Sequence, residues 1–226
     1  MKRIQLIMLG CALAVSVLLV GCKDDMNPHR TFSVEVSNLT EHQPLAAIAV
    51  VLHESGYHAY VLGSIADSDL EMMAEGGDPS VLLASAASEE AVMMTTANTD
   101  LTLPGNKSIL EVKGLGHEHR LSLVGMLVNT NDGFIGLDAI DLSGLAKGES
   151  LILHAKVYDA GTEANNESAD SVPAQGGEGF NASRDDRDFV GVHPGVVSMD
   201  DGLTGSSLDQ SHRFDSPAAR VVITRK

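Results

Sequence analysis

Two acidic, glycine-rich segments carry the residues best suited to chemistry, Asn131–Leu142 (NDGFIGLDAIDL) and Val157–Glu163 (VYDAGTE). Each sets carboxylates where a strand gives way to a turn. Together they hold Asp132, Asp138, Asp141, Asp159 and Glu163, with Gly133, Gly136 and Gly161 among them. Hard divalent cations such as calcium are held by several oxygens at once, from carboxylates and from turn carbonyls. Two such loops meeting at one end of a β-sandwich supply that kind of donor set. Asp138 and Asp141 are three apart, so on a regular strand they face opposite sides, and a turn or bulge is needed to converge them on one ion. Asp159 also suits a turn, since an Asp side chain bonds backbone amides two residues on.

A rival constellation is His117-Glu118-His119, whose two imidazoles would point the same way on a strand and could bind zinc, with a carboxylate, for metal-dependent hydrolysis. Gly114 and Gly116 argue instead for a solvated hairpin there. The pairs Met72-Met73 and Met93-Met94 carry thioethers that favour soft ions, but methionine commonly fills irregular cores, and packing is the expected role. Nucleophilic catalysis finds no footing: there is no G-x-S-x-G elbow, and GHEH is not H-E-x-x-H.

The elements that must position these residues begin after an N-terminal targeting segment. Lys2 and Arg3 precede an apolar run from Ile4 to Val20, and Leu19-Val20-Gly21-Cys22 reads as a bacterial lipobox. Residues 1–21 are then a lipoprotein signal peptide, Cys22 is the lipidated first residue, residues 22–30 are a tether, and 31–226 form one domain. Lys23 after the cysteine favours the outer membrane of the cell envelope, reached through the lipid. Without the signal, 13 basic residues face 31 acidic ones, a formal charge of −18. That excess argues against nucleic acid, which needs a basic surface. Cys11 and Cys22 are the only cysteines of the 226 residues, so no disulfide is expected within the domain. With no tryptophan, the core must be built from aliphatic residues and methionine.

Thr31–Thr40 alternates Phe32, Val34 and Val36 against polar neighbours, as a half-buried strand does. LAAIAVVLHES after Pro44 fits a strand buried on both faces. Short helices are expected over Asp67–Glu75, stopped by Gly76-Gly77, and over Asp78–Ala87, with Asp78 as cap and Pro79 at the first helical position. Ser88–Gly105 reads as a long connection. Strands follow at Ser108–Lys113, Arg120–Val128, Phe134–Leu137, Ser150–Tyr158 and Ala218–Thr224. Ala160–Asp215 has little periodicity and reads as a long loop, a kind usually functional or partly disordered. The pattern predicts an all-β, antiparallel sandwich with a small helical insertion.

The order of motifs resembles the spondin N-terminal domain family. FSVEVSNLT and QPLAAIAVVLH, then LEMMAEGGD, SLVGMLVNTNDGFIGLDAIDL, VYDAGTE and SPAARVVITR follow one another as in that family. The resemblance implies an eight-stranded antiparallel β-sandwich with a divalent cation, taken as calcium, at one end. It implies a non-catalytic module for adhesion or surface recognition, with a glycan or protein as ligand. By motif match the cation would be held by Glu75, Asp138 and Asp141, with Asp132 and Asp159 in adjoining matched segments. This chain has Gly133-Phe134 where the animal domains carry an aromatic pair, and it lacks their cysteines. A purely structural envelope lipoprotein is the remaining alternative.

Overall fold

The computed structural model describes residues 29–226. The signal peptide, Cys22 and most of the tether lie outside the described residues. His29 and Arg30, read as tether, already belong to the first strand.

That strand, β1 (His29–Asn38), points Phe32, Val34 and Val36 inward with no exposed surface. It lies between β9 (Ala219–Arg225) and β4 (Lys107–Leu115), antiparallel to both. β9 alternates in the same way, burying Val221 and Ile223. The other half of the sheet contains β2 (Ala49–His53), β3 (Val92–Ala97), β5 (Arg120–Met126) and β6 (Gly133–Asp141). β7 (Ser150–Asp159) joins the halves. Its first six residues pair with β9 and its last four with β6. The resulting order is β3-β2-β5-β6-β7-β9-β1-β4, antiparallel throughout, with the two-residue β8 (Gly191–Val192) added on β7. The path has the eight strands that the resemblance implies. Its two end strands, β3 and β4, come to lie against each other, so the fold is a sandwich close to closing into a barrel.

The main core fills the space between the halves with Phe32, Val34, Leu52, Leu110, Leu121, Leu123, Ile135 and Val221, among others. A second core lies on the outer face of β2, β5 and β6. There α1 (Ser68–Gly76) and α2 (Ser80–Ala86) pack Leu70, Met73 and Leu82 against Val124, Met126 and Phe134. This cover explains the unbroken apolar run: every residue of β2 is buried, because sheet lies on one side of it and helix on the other.

α1 begins where an acidic cap predicts it. Asp67 accepts a bond from the Leu70 amide at 2.8 Å, and Gly77 closes the helix in the left-handed conformation at φ 72°. A side chain at Gly77 would meet Ala46 Cβ at 2.8 Å, so this glycine is required by space as well as by backbone. At α2, Asp78 bonds the Ser80 amide while Pro79, not Asp78, is the residue preceding the first turn.

Two expectations are corrected. Ser88–Gly105 is not simply a connection: Val92–Ala97 is the edge strand β3. Its Met-Met-Thr-Thr sequence lacks alternation because every residue there is half-buried. Residues 160–215 are structured. Three single 3-10 turns and β8 surround a small core of Val172, Val196 and Leu208, against which Phe214 packs. Side chains tie this segment down where periodicity is missing, as when Glu167 accepts the Val197 amide at 3.0 Å.

Candidate metal centre

β6 starts where β7 ends, Gly133 being paired with Asp159. This register brings the residues just before β6 beside those just after β7. Asp132 is thereby set against Thr162 and Glu163. One oxygen of Asp132 (Oδ2) accepts the amides of Thr162 (2.8 Å) and Glu163 (3.2 Å) and the Thr162 hydroxyl (3.2 Å). The other, Oδ1, is buried with no partner. The turn that delivers Asp132 is pinned by Thr130, whose hydroxyl donates to the Leu127 carbonyl and accepts the Gly133 amide.

Glu75 enters from the last turn of α1. Its Oε2 accepts the Asn181 amide at 2.8 Å, and its Oε1 is buried without a partner. The Thr162 hydroxyl also lies beside Glu75, but its single proton goes to Asp132. Glu163 completes the group, with Oε2 buried and unpaired and with Glu75 and Asp132 as the acidic neighbours that act on it most strongly. Three carboxylates from three separate segments thus crowd around Thr162, and each keeps one oxygen unsatisfied. Buried polar atoms are nearly always bonded, so three orphans in one place call for an explanation.

The electrostatics agree. Burial, then the neighbouring Asp159, pushes the Asp132 carboxyl up to about 7. Burial, then Glu75 and Asp132, pushes Glu163 up to about 8. Burial also raises Glu75. Desolvation and like charge act here in the same direction.

Asp159 is fully buried but already satisfied. It accepts Gly161 N at 2.8 Å and Asn165 Nδ2 at 2.7 Å, and pairs with Arg187 at 2.9 Å. It therefore combines the turn-forming role with an ion pair and stands beside the cluster as its support. Arg184 braces the neighbouring Glu71 through two bonds, at 3.0 and 2.6 Å, and also holds Asp188.

Asp138 and Asp141 do not join the cluster. A bulge does lie between them: the β5–β6 register shifts after Leu121, and Ala139 sits at φ 50°. It leaves both on the outer face, since Leu137 and Ile140 both turn to the main core, but the two carboxylates take different partners. Asp138 accepts the Ala59 amide at 2.8 Å and the Ser122 hydroxyl at 3.0 Å, and also bonds His58. It fastens the Tyr57–Tyr60 segment to the outer face. Asp141 is exposed, and the Ser143 amide that it accepts at 2.9 Å lowers its pKa. The imidazoles of His117 and His119 also part. His117 is exposed and bonded to Arg30 at 3.0 Å, while His119 has no exposed surface. The expected solvated hairpin holds for the first and fails for the second.

Glu163 was visible in the acidic pair of segments, yet the motif match did not carry a role onto it. The signal that could have found it is its spacing from Asp159, which places it just past a tight turn on the side of Asp132. Among the described residues no group of three or more His, Cys, Asp or Glu side chains forms a ready-made metal shell. The orphaned oxygens of Glu75, Asp132 and Glu163 are nevertheless the donor chemistry that a hard cation takes.

An antiparallel sheet folded on itself, with a helical cover and an acidic cluster where three loops meet at one end, defines a loop-displaying β-sandwich module. The family model for the spondin N-terminal domain, Spondin_N, matches residues 37–175, more than half of the chain, and the chain belongs to that family. No curated protein matches it. The match ends before β8 and β9, so the strand that completes the β1 side of the sheet lies beyond it.

Proposed function

We propose that this chain is a calcium-type cation-binding module of the cell envelope, held to the membrane through a lipid on Cys22, that serves adhesion or surface recognition without turnover. The observation that carries the cation site is the set of three unpaired, buried carboxylate oxygens on Glu75, Asp132 and Glu163. A bound divalent cation would supply the positive charge that these groups lack. The chain's own residues do the rest. Asp132 is aimed by its three bonds to Thr162 and Glu163, and Glu75 by the Asn181 amide. Asp159, tied to Arg187, keeps the turn in place. Neutralising the cluster would stabilise the three loops together, because a ligand that binds only the folded state adds its binding free energy to stability. Those loops, with exposed Phe180, Phe189 and Val192 nearby in sequence, form the surface on which a glycan or protein ligand would be read. The separation of His117 from His119 gives the hydrolase reading no comparable support.

The test is thermal unfolding in chelator, then with calcium, magnesium or zinc, for the parent and for Asp132→Asn combined with Glu163→Gln. A calcium-specific rise in Tm that the double variant abolishes is expected. A parent that ignores calcium would sink the cation site and leave only the fold.

A further inference from the structure

A second constellation lies away from the acidic cluster, on the outer face where the Tyr57–Tyr60 segment is fastened to β6. A pocket of about 490 Å³ opens there, lined among others by His58, Tyr60, Val61, Leu62, Asp138 and Tyr158. Its size falls within the range of about 300–1,000 Å³ that small-molecule sites occupy. Gly136 of β6 makes the floor possible. A Cβ there would stand 2.7 Å from the Tyr60 hydroxyl, so glycine lets that ring lie against the strand. Tyr60 packs on Tyr158 with ring centroids 5.0 Å apart, and burial pushes the Tyr60 phenol up, which keeps it neutral. The rim is apolar as well. Gly63 N donates to Val190 O and Val190 N to Ser64 O, both at 2.8 Å, and Val192 pairs with Tyr158. These bonds bring Val192 beside the pocket that Val61 and Leu62 line, and all three side chains are more than half exposed. Apolar side chains left in water together beside a concavity mark a binding site.

The polar part of the lining is one oriented pair. A carboxylate only accepts, so the bond between His58 Nδ1 and Asp138 puts the imidazole proton on Nδ1 and leaves Nε2 to accept from a ligand. Asp138 also accepts the Ala59 amide and the Ser122 hydroxyl. With donors on both oxygens it offers little to a cation, and its charge repels an anion. We propose that this pocket binds a neutral, apolar ring compound carrying a hydroxyl, the ring packing against Tyr60, Val61 and Leu62 and the hydroxyl donating to His58 Nε2. A sugar, with hydroxyls on most of its carbons, would leave several of them unpaired against Val61 and Leu62. The site uses none of Glu75, Asp132 and Glu163, so it stands whether or not they hold a cation.

The full chain, purified in detergent, is titrated with 2-naphthol, and the probe's emission is compared with that in detergent alone. The chain has no tryptophan to compete for that emission. Saturable binding of one equivalent is expected, with naphthalene, which lacks the hydroxyl, about 2–10-fold weaker. Leu62→Asp, at an exposed position, should keep the parent's melting temperature and weaken 2-naphthol about tenfold or more, because the ring would cover a charge. His58→Ala should erase the preference for 2-naphthol over naphthalene. Ile109→Asp, at an exposed position of β4 outside the pocket, should change nothing. Non-saturable uptake equal to that of detergent alone, Leu62→Asp binding as the parent does, or 2-naphthoate binding as tightly as 2-naphthol would each overturn the proposal.

Discussion

At the scale of single residues, what distinguishes the carboxylates of this chain is how many partners each already has. Asp138 has donors on both oxygens and Asp159 has three partners, whereas Glu75, Asp132 and Glu163 each keep one oxygen bare. Asp141→Ala removes one exposed turn bond, and its stability should stay within about 0.5 kcal/mol of the parent. Asp138→Ala strips partners from Ala59, Ser122 and His58 and should cost about 1–3 kcal/mol in a denaturant titration. Neither should diminish a calcium response, so a response abolished by Asp138→Ala plus Asp141→Ala would return the cation to the positions that the motif match implied. The reason lies in their partners. The bulge at Ala139 leaves both aspartates on the outer face, but Asp138 is taken up by Ala59, Ser122 and His58 and Asp141 by its own turn, and spacing alone does not reveal such partners.

Helices and hairpins decide where those residues stand. α1 is held between Asp67 at its start and Gly77 at its end, and it brings Glu75 down to the loops. Gly77→Ala meets both a left-handed backbone and a contact with Ala46 Cβ at 2.8 Å. A loss of at least about 1 kcal/mol is expected, measured by thermal unfolding, together with a weaker calcium response because Glu75 shifts. Arg184 is the matching device in the long loop, joining it to α1 through Glu71 and to Ala66 through its carbonyl. Arg184→Ala leaves the buried Glu71 unpaired and should cost about 3 kcal/mol or more. Hydrogen exchange of residues 178–190 should quicken in that variant. Equal protection in variant and parent would show that the loop is held by other contacts.

Over the whole molecule the acidic cluster and the buried histidines set opposing dependences on pH. The folded Glu163 carboxyl, up at about 8, binds its proton more tightly than the unfolded one near 4.5. The cation-free protein should therefore lose stability as pH rises toward 8, with Asp132 acting in the same sense. His193 acts oppositely. Burial lowers it from 6.5 to about 4, so stability is lost as pH falls through that interval and the unfolded imidazole charges. In chelator the two raised carboxyls outweigh the one lowered imidazole, so the melting temperature should fall as pH rises from about 4.5 to 8 and mask the loss that His193 brings on acidification. Calcium binds the ionised carboxylates, so it should abolish the alkaline fall and leave the acidic one. An alkaline fall that calcium leaves intact would show that these carboxylates are not its ligands.

Alternation of Phe32, Val34 and Val36, the cap at Asp67 and the glycines after Glu75 are local signals, and they were enough for β1, α1 and the antiparallel all-β class. The motif order was enough for the family. β3 escaped notice because a strand half-buried on both sides has no period of two, and the long loop because side-chain bonds rather than periodicity order it. The sequence also placed Asp132, Asp159 and Glu163 in two acidic, glycine-rich segments. Which carboxylates converge was decided only in three dimensions. The pairing of Gly133 with Asp159 joins two of the loops, helix packing brings in Glu75, and other partners hold Asp138 and Asp141 elsewhere. Contacts of that kind depend on strand register and closure, and those are set by burial summed over the whole core.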